Sequence, residues 1–227
     1  NPKYLYGKDY GYRTGLNQTM TDHVKLIAHD AQKLSKIQKG EFVLDIASND
    51  GTMLNCYSKN LMTVGVDPIL SKFKKFYNEI NYKVPDFFSL NALKKYKLNK
   101  KYKIISALSV FYDLKNPNKF LVDIKKILHK DGIFILEHAD LLSIVKNNLF
   151  DTICHEHLVY YSSKIIVDMM NKNDLVVFDL KKNNTNGGSI RYYISHSNSN
   201  YKIKYNKISS ILNEEKYFKL EKKATYK

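Results

Sequence analysis

Phe150-Asp151-Thr152-Ile153-Cys154-His155-Glu156-His157 puts two imidazoles and a carboxylate on three consecutive residues. Histidine titrates near neutral pH, so it can take a proton from a substrate and later release it. In an extended segment side chains alternate, so His155 and His157 share one face and Glu156 takes the other. The spacing is not the i, i+4 histidine pair of a zinc-binding helix, and no metal is expected.

A second constellation lies earlier, in Val43-Leu44-Asp45-Ile46-Ala47-Ser48-Asn49-Asp50-Gly51. It reads as a buried strand that runs through small residues into a helix start. Small side chains let the backbone approach a ligand, and a helix amino end adds positive potential. Asp67, followed by Pro68, comes 22 residues after Asp45, at the end of the next strand. A carboxylate there can accept both hydroxyl protons of a ribose. A dinucleotide fingerprint needs three glycines, and this stretch has only Gly51. S-adenosylmethionine has an adenosine, a sulfonium and an amino-acid end but no phosphate, so it does not require them. Asp45 is then placed near the ammonium, directly or through water, Asp67 at the ribose, and Asp86-Phe87-Phe88 over the adenine. Ser109 lies at the end of the fourth strand, where an open parallel sheet also presents ligand contacts. Singly, such acidic residues cap strands and helices in any α/β protein. Together, in this order, they point to a class I methyltransferase.

Two further segments suit a charged substrate. Tyr10-Gly11-Tyr12-Arg13 offers aromatic faces and a guanidinium, and Asn186-Gly187-Gly188-Ser189 with Arg191 offers backbone donors and another. A diphosphate fits such groups by charge-assisted, bidentate bonding. The glycines read equally well as an ordinary hairpin turn.

The elements that must position these residues follow from the alternation of short apolar runs with amphipathic stretches, the signature of βαβ units and a parallel sheet. Met20 to Ile37 has helical spacing. Strands are expected at Glu41–Ile46, Leu61–Val66, Tyr82–Val84, Lys103–Val110 and Gly132–Leu136. Helices are expected at Ile69–Tyr77 and from Pro117 to about Leu128. The pattern loosens after Glu137 until a helix at Ser162–Asn171. Two strands, Leu175–Leu180 and Ser189–Ile194, flank a turn and predict an antiparallel hairpin. The lysine-rich tail from Tyr201 is expected to end in a helix. The division expected is an arm and helix over 1–37, a methyltransferase domain over 38–200, and a tail over 201–227.

Composition narrows the partners. The chain has 227 residues, enough for one α/β domain with a full core. It carries a net charge of +15, yet of its 37 basic residues only Arg13 and Arg191 are arginine. Arginine is the preferred ligand of guanine edges and phosphates, so the lysine excess reads as compositional bias and nucleic acid is not an expected partner. No apolar run approaches the ~20 residues of a membrane-spanning helix. Two cysteines, Cys56 and Cys154, exclude a disulfide framework within these residues and fit a reducing, cytoplasmic setting. The oligomeric state is not legible.

At Tyr10–His23, Val43–Leu54, Phe150–Ser162 and Asn186–Arg191 the sequence resembles the sugar C-methyltransferases that act on nucleotide-linked ketosugars. The resemblance implies a Rossmann-like class I fold, mostly parallel with a C-terminal antiparallel hairpin. It implies S-adenosylmethionine as cofactor and S-adenosylhomocysteine as product. It implies a base that removes a proton beside a keto group, so that the enolate attacks the methyl sulfonium. His157 matches the family's base, with Glu156 and His155 to orient it or contact the sugar. Several members carry tyrosine at the position of Cys154, and some carry histidine at that of Asp113. Either difference bears on which carbon is methylated, or moves the target to an oxygen. The family also has a cysteine-ligated zinc domain ahead of this region and a second Rossmann-like domain after it. The chain, which opens without Met, is expected to be a core of that architecture. Two other readings stay open: a sugar O-methyltransferase using the same histidine, and a non-catalytic nucleotide- or RNA-binding module.

Overall fold

Strands rich in branched and aromatic residues are joined by helices and turns. The computed structural model describes residues 2–6 and 10–226. A short helix α1 (Pro2–Leu5) is followed by α2 (Gln18–Ser35), which buries Val24, Ile27, Ala28, Ala31 and Ser35. Asn17 caps α2 by accepting the Met20 amide. Next come β1 (Phe42–Ile46), β2 (Met62–Val66), β3 (Tyr82–Val84), α3 (Leu90–Lys95) and β4 (Tyr102–Leu108). They are followed by α4 (Pro117–Ile127), β5 (Leu128–Ala139) and α5 (Leu141–Asn147). The last elements are α6 (Ser163–Lys172), β6 (Leu175–Asn183), β7 (Ser189–His196) and α7 (Tyr205–Tyr217). No helix among the described residues is long and apolar enough to cross a membrane.

The chain forms two units. The first runs to Ala107 and takes in Lys126–Ile133; the second holds Leu108–Lys125 and the residues from Phe134 onward. In the first unit the strand order is β3-β2-β1-β4-β5. β1 pairs in parallel with β2 and β4, and β2 pairs in parallel with β3. Val43, Leu44, Val64, Val66, Ile104, Ile105 and Ala107 are almost wholly buried, as expected for parallel strands covered on both faces. The register sets Asp45 beside Gly65 on β2 and Ser106 on β4.

Two expected helices are absent from this unit. After β1 the chain makes turns and one 3-10 turn at Leu54–Cys56, and after β2 it makes turns and another at Lys74–Phe76. Ile69, Leu70, Phe73, Tyr77 and Ile80 are all buried, so their spacing, which mimics a helix, is satisfied by successive inward-facing turns. Tyr77 explains this departure. A Cβ added at Gly65 would lie 2.7 Å from its ring, and one at Gly51 would lie 3.3 Å from the ring and 2.5 Å from Ile80. Gly51 also has φ +76°, a conformation that favours glycine. The two glycines therefore admit an aromatic ring that a regular helix over Ile69–Tyr77 would carry elsewhere.

In the second unit β5, β7 and β6 lie side by side, with β7 antiparallel to both neighbours. The C-terminal hairpin is thus present, and the fold class is an α/β sheet, mostly parallel, with antiparallel strands at its end. β5 continues to Ala139, and Asp140 then caps α5 by accepting the Leu142 and Ser143 amides. Neither feature was visible in the loosened pattern after Glu137. α7 returns a carboxylate to α6: Glu215 accepts the backbone amides of Ser163 and Lys164.

Gly65→Ala should destabilise the protein by about 1–3 kcal/mol, because the new methyl must displace a fully buried ring. Thermal unfolding checks this, with a drop of roughly 2–4 °C expected for each kcal/mol. An unchanged midpoint would show that Tyr77 does not need the space.

Candidate cofactor site and histidine loop

The turn after β1 is conformationally expensive. Ala47 has φ 57°, Asn49 has φ 51° and Gly51 has φ 76°, so every second residue is left-handed. A non-glycine residue there costs about 1–2 kcal/mol and persists only where its surroundings fix it. The fixing contacts are specific. The Tyr77 hydroxyl donates to the Asn49 carbonyl at 2.8 Å and lies 2.8 Å from Ser48 Oγ. The Asn49 amide donates to Asp67 Oδ2 at 2.8 Å, and the Ile69 amide donates to Asp67 Oδ1 at 2.8 Å. Gly51 packs against Tyr77 and Ile80.

Asp45 and Asp67 are 5% and 6% exposed. Burial pushes the Asp45 carboxyl up to about 7, against a hydrogen bond from Ser106 Oγ at 2.6 Å, and the charge of Asp67 adds to the rise. Burial likewise pushes Asp67 up to about 6, against its two backbone donors. Neither carboxylate has a cationic partner among the described residues. A buried carboxylate without one is unfavourable, so this pair suits a ligand that brings positive charge. Each Asp67 oxygen takes one amide and keeps a second lone pair, which two vicinal hydroxyls can use.

Asp50 is buried as well but is already paired. Arg13 Nε donates to Asp50 Oδ2 at 2.8 Å, and the Thr52 amide and hydroxyl donate to Asp50 Oδ1. Tyr12 is 47% exposed and Tyr10 stacks edge-on with Tyr6. Pro68 sits in the turn after β2. Asp86 and Phe88 are half-buried and Phe87 is exposed in the bend before α3, where the Phe87 amide donates to Asp86 Oδ1. Ser109, in the second unit, is exposed, has φ 53°, and donates its amide to the Glu137 carbonyl.

The histidine loop belongs to the second unit, after a 3-10 turn at Phe150–Thr152. It is not extended. The His157 amide donates to the Cys154 carbonyl, closing a turn through His155 and Glu156, so the alternating-face arrangement does not hold. His155 is exposed, and Glu156, His157 and Cys154 are half-buried. The His157 ring lies 4.2 Å from that of Tyr112, and its Nδ1 is 3.1 Å from the Thr152 carbonyl oxygen. A carbonyl can only accept, so Nδ1 carries the proton and Nε2 of the neutral ring keeps its lone pair. Tyr112 also accepts the Leu158 and Val159 amides on its carbonyl, fixing the loop beside the half-buried Asp113. The Tyr160 hydroxyl donates to the Thr152 carbonyl and accepts the Cys154 amide.

The second arginine is also committed. Arg191 is 3% exposed, and its Nε donates to Glu137 Oε2 at 2.7 Å. Each arginine therefore meets a buried carboxylate where a diphosphate was expected. Asn186 has φ 54°, and the two glycines after it are closely packed: a Cβ at Gly187 would lie 2.8 Å from Leu149, and one at Gly188 2.5 Å from Ser143. Sequence reasoning missed Tyr77, Ser106 and Tyr112, none of which stands in a motif. It also missed His138, a fully buried ring whose pKa burial pushes down. Among the described residues, no group of three or more histidine, cysteine or acidic side chains is placed to hold a metal.

This parallel sheet with buried carboxylates at its first two strand ends is the framework of a methyltransferase, and comparison with known proteins agrees. A family described as "Methyltransferase domain" matches residues 19–180, and the chain belongs to it. The chain is 22% identical to the C-methyltransferase NovU of Streptomyces niveus over 205 residues, 89% of this chain and 49% of that protein. It thus spans about half the length of that relative. Among solved structures, an S-adenosylmethionine-dependent methyltransferase from Clostridium acetobutylicum has a TM-score of 0.61 at 12% identity, covering 78% of this chain and 92% of that one. The magnesium protoporphyrin IX methyltransferase ChlM from Synechocystis, with bound S-adenosylhomocysteine, has a TM-score of 0.57 at 14% identity, covering 86% and 92%. At such identities the likeness is one of fold, and the donor set of this chain itself suits S-adenosylmethionine.

The raised carboxyls give a pH test. The folded state keeps protons on Asp45 and Asp67 that an unfolded chain, with an aspartate value of 3.8, has released. Their stabilising contribution is complete below that value and is lost as pH rises through about 6 to 7. His138 acts in the opposite sense, so wild type must be compared with Asp45→Asn. The melting temperature of the ligand-free protein, relative to Asp45→Asn, should fall by a few degrees between pH 5.5 and pH 7.5. Parallel pH profiles would show that Asp45 is ionised throughout.

Proposed function

We propose that this chain is an S-adenosylmethionine-dependent C-methyltransferase that deprotonates the carbon beside the keto group of a nucleotide-linked sugar and methylates it. The observation that carries the base assignment is the hydrogen bond from His157 Nδ1 to the Thr152 carbonyl, which leaves Nε2 as the acceptor. The methyltransferase class rests on the family match, and carbon as the acceptor is supported by the relationship to NovU. When bound, S-adenosylmethionine supplies an electrophilic sulfonium methyl.

The residues of this chain have distinct tasks in that reading. Asp45 meets the ammonium, Asp67 accepts the ribose hydroxyls, and Asp86, Phe87 and Phe88 cover the adenine. His157 Nε2 takes the proton beside the ketone, and its ring is held for this by Tyr112 and Thr152. Glu156 and His155 face the sugar, and Asp113, Cys154 and the Asn186–Gly188 turn of the same unit help hold it. A positioned base contributes on the order of 10²–10⁴-fold.

The test is incubation in D₂O with S-adenosylmethionine and a panel of nucleotide-linked 4-ketosugars, read by mass spectrometry and NMR. Methyl gain on a ring carbon, or deuterium entering beside the ketone, is expected. His157→Ala should lower the rate by about 10²–10⁴-fold with S-adenosylhomocysteine affinity within about twofold of wild type. Methyl gain on oxygen without exchange would move the assignment to O-methylation, and normal turnover by His157→Ala would overturn the base.

The cofactor assignment has its own test. Ionising Asp45 favours the ammonium that S-adenosylmethionine and S-adenosylhomocysteine share, so affinity for either should rise between pH 5.5 and pH 7.5. Titration calorimetry in buffers of different ionisation enthalpy should also register proton release on binding near pH 6.5. A pH-independent affinity without proton release would separate these carboxylates from the cofactor.

A further inference from the structure

The segment before α2 lies bonded onto the turn after β1. Besides the Arg13–Asp50 pair, the Gly15 amide donates to Asp50 Oδ2 at 3.0 Å and the Thr14 amide donates to Asn49 Oδ1 at 2.9 Å. Asn49 Nδ2 returns a hydrogen bond to the Tyr12 carbonyl at 3.0 Å. The Arg13 guanidinium lies 4.0 Å above the Phe76 ring, and Lys72 Nζ donates to the Tyr10 carbonyl at 2.7 Å. A Cβ at Gly15 would lie 2.8 Å from both Asp50 Oδ2 and Thr52 Oγ1, so a side chain there would have to displace these two.

These contacts converge on Asn49, whose side chain faces the arm and whose amide holds Asp67. We infer that residues 12–15 form an intramolecular clasp that presets the cofactor turn, with Arg13 as a positioning residue for cofactor binding that acts through Asp50. This rests on the reading that the turn and Asp67 hold S-adenosylmethionine. Asp50 is 1% exposed at its side chain, and Arg13 is its only cationic partner among the described residues. Removing the guanidinium leaves a buried charge on the loop and frees the αL conformation of Asn49 to relax. Part of the ligand's binding energy is then spent on ordering the turn. A clasp that orders it in advance raises affinity without touching the ligand.

The test is S-adenosylhomocysteine affinity by calorimetry, well below the melting temperature, in wild type, Arg13→Ala, Arg13→Lys, Asp50→Asn and the Arg13→Ala/Asp50→Asn double variant. Hydrogen exchange is measured on the same proteins without ligand. Arg13→Ala should bind on the order of tenfold more weakly. Arg13→Lys, which keeps the charge but not the planar stacking on Phe76, should fall between it and wild type. The double variant should be no weaker than the weaker single variant, because both act through one contact. The amides of Thr14, Gly15 and Asn49 should exchange faster in Arg13→Ala. A lowered melting temperature with affinity within twofold of wild type would make the contact structural only and overturn the positioning role, as would additive losses in the double variant. Absence of S-adenosylhomocysteine binding by wild type would overturn the cofactor reading itself, and the clasp's role with it.

Discussion

The turn at residues 47–51 is held by one buried hydroxyl and one buried carboxylate, and the candidate cofactor chemistry depends on that hold. No helix follows β1, so neither a ladder of helical amides nor a helix dipole stabilises the turn. Tyr77 pins Ser48 and Asn49 from one side, and Asp67 captures the Asn49 amide. The Tyr77 ring reaches that place only because Gly51 and Gly65 lack side chains. Two glycines and a tyrosine, far apart in sequence, thus carry a conformation that costs Ala47 and Asn49 about 1–2 kcal/mol each.

The buried carboxylates of this protein are held in different ways. Glu137 is met by Arg191 and Asp50 by Arg13, each at hydrogen-bonding distance. Such pairs close on themselves and need nothing from outside. Asp45 and Asp67 are equally buried but meet hydroxyl and amide donors, and their carboxyls sit at about 7 and about 6. A fold keeps two such groups close together at a strain that a cationic ligand relieves.

Much of this was legible in the sequence. Each strand was placed within a few residues, because continuous apolar runs between turn signals leave little else for a parallel sheet to bury. The hairpin followed from its Asn- and Gly-rich turn. The helix expected at Ile69–Tyr77 failed because the same apolar spacing serves turns that drop Ile69, Phe73 and Tyr77 inward. Asp45 and Asp67 were found from spacing alone, yet the sequence could not say that they lack cations while Asp50 has one. The two arginines were noticed for their rarity and assigned to a ligand, whereas each is used within the protein. The extended reading of His155–His157 failed for a local reason. Thr152 and Cys154 offer carbonyls that fold the segment back on itself, a pairing that no spacing rule records.

The family match begins at residue 19, so residues 12–15 precede it, although they lie in the segment Tyr10–His23 that resembles the sugar C-methyltransferases. That placement bears on how a common framework is adapted. Asp45, Asp67 and the first strands lie within the matched region. Residues 12–15 add a second hold on the turn, through Asn49 and Asp50, to that of Tyr77 and Asp67. In the proposed reading the carboxylates meet a cationic cofactor, and Arg13, bonded to Asp50, sets how much ordering its binding must supply.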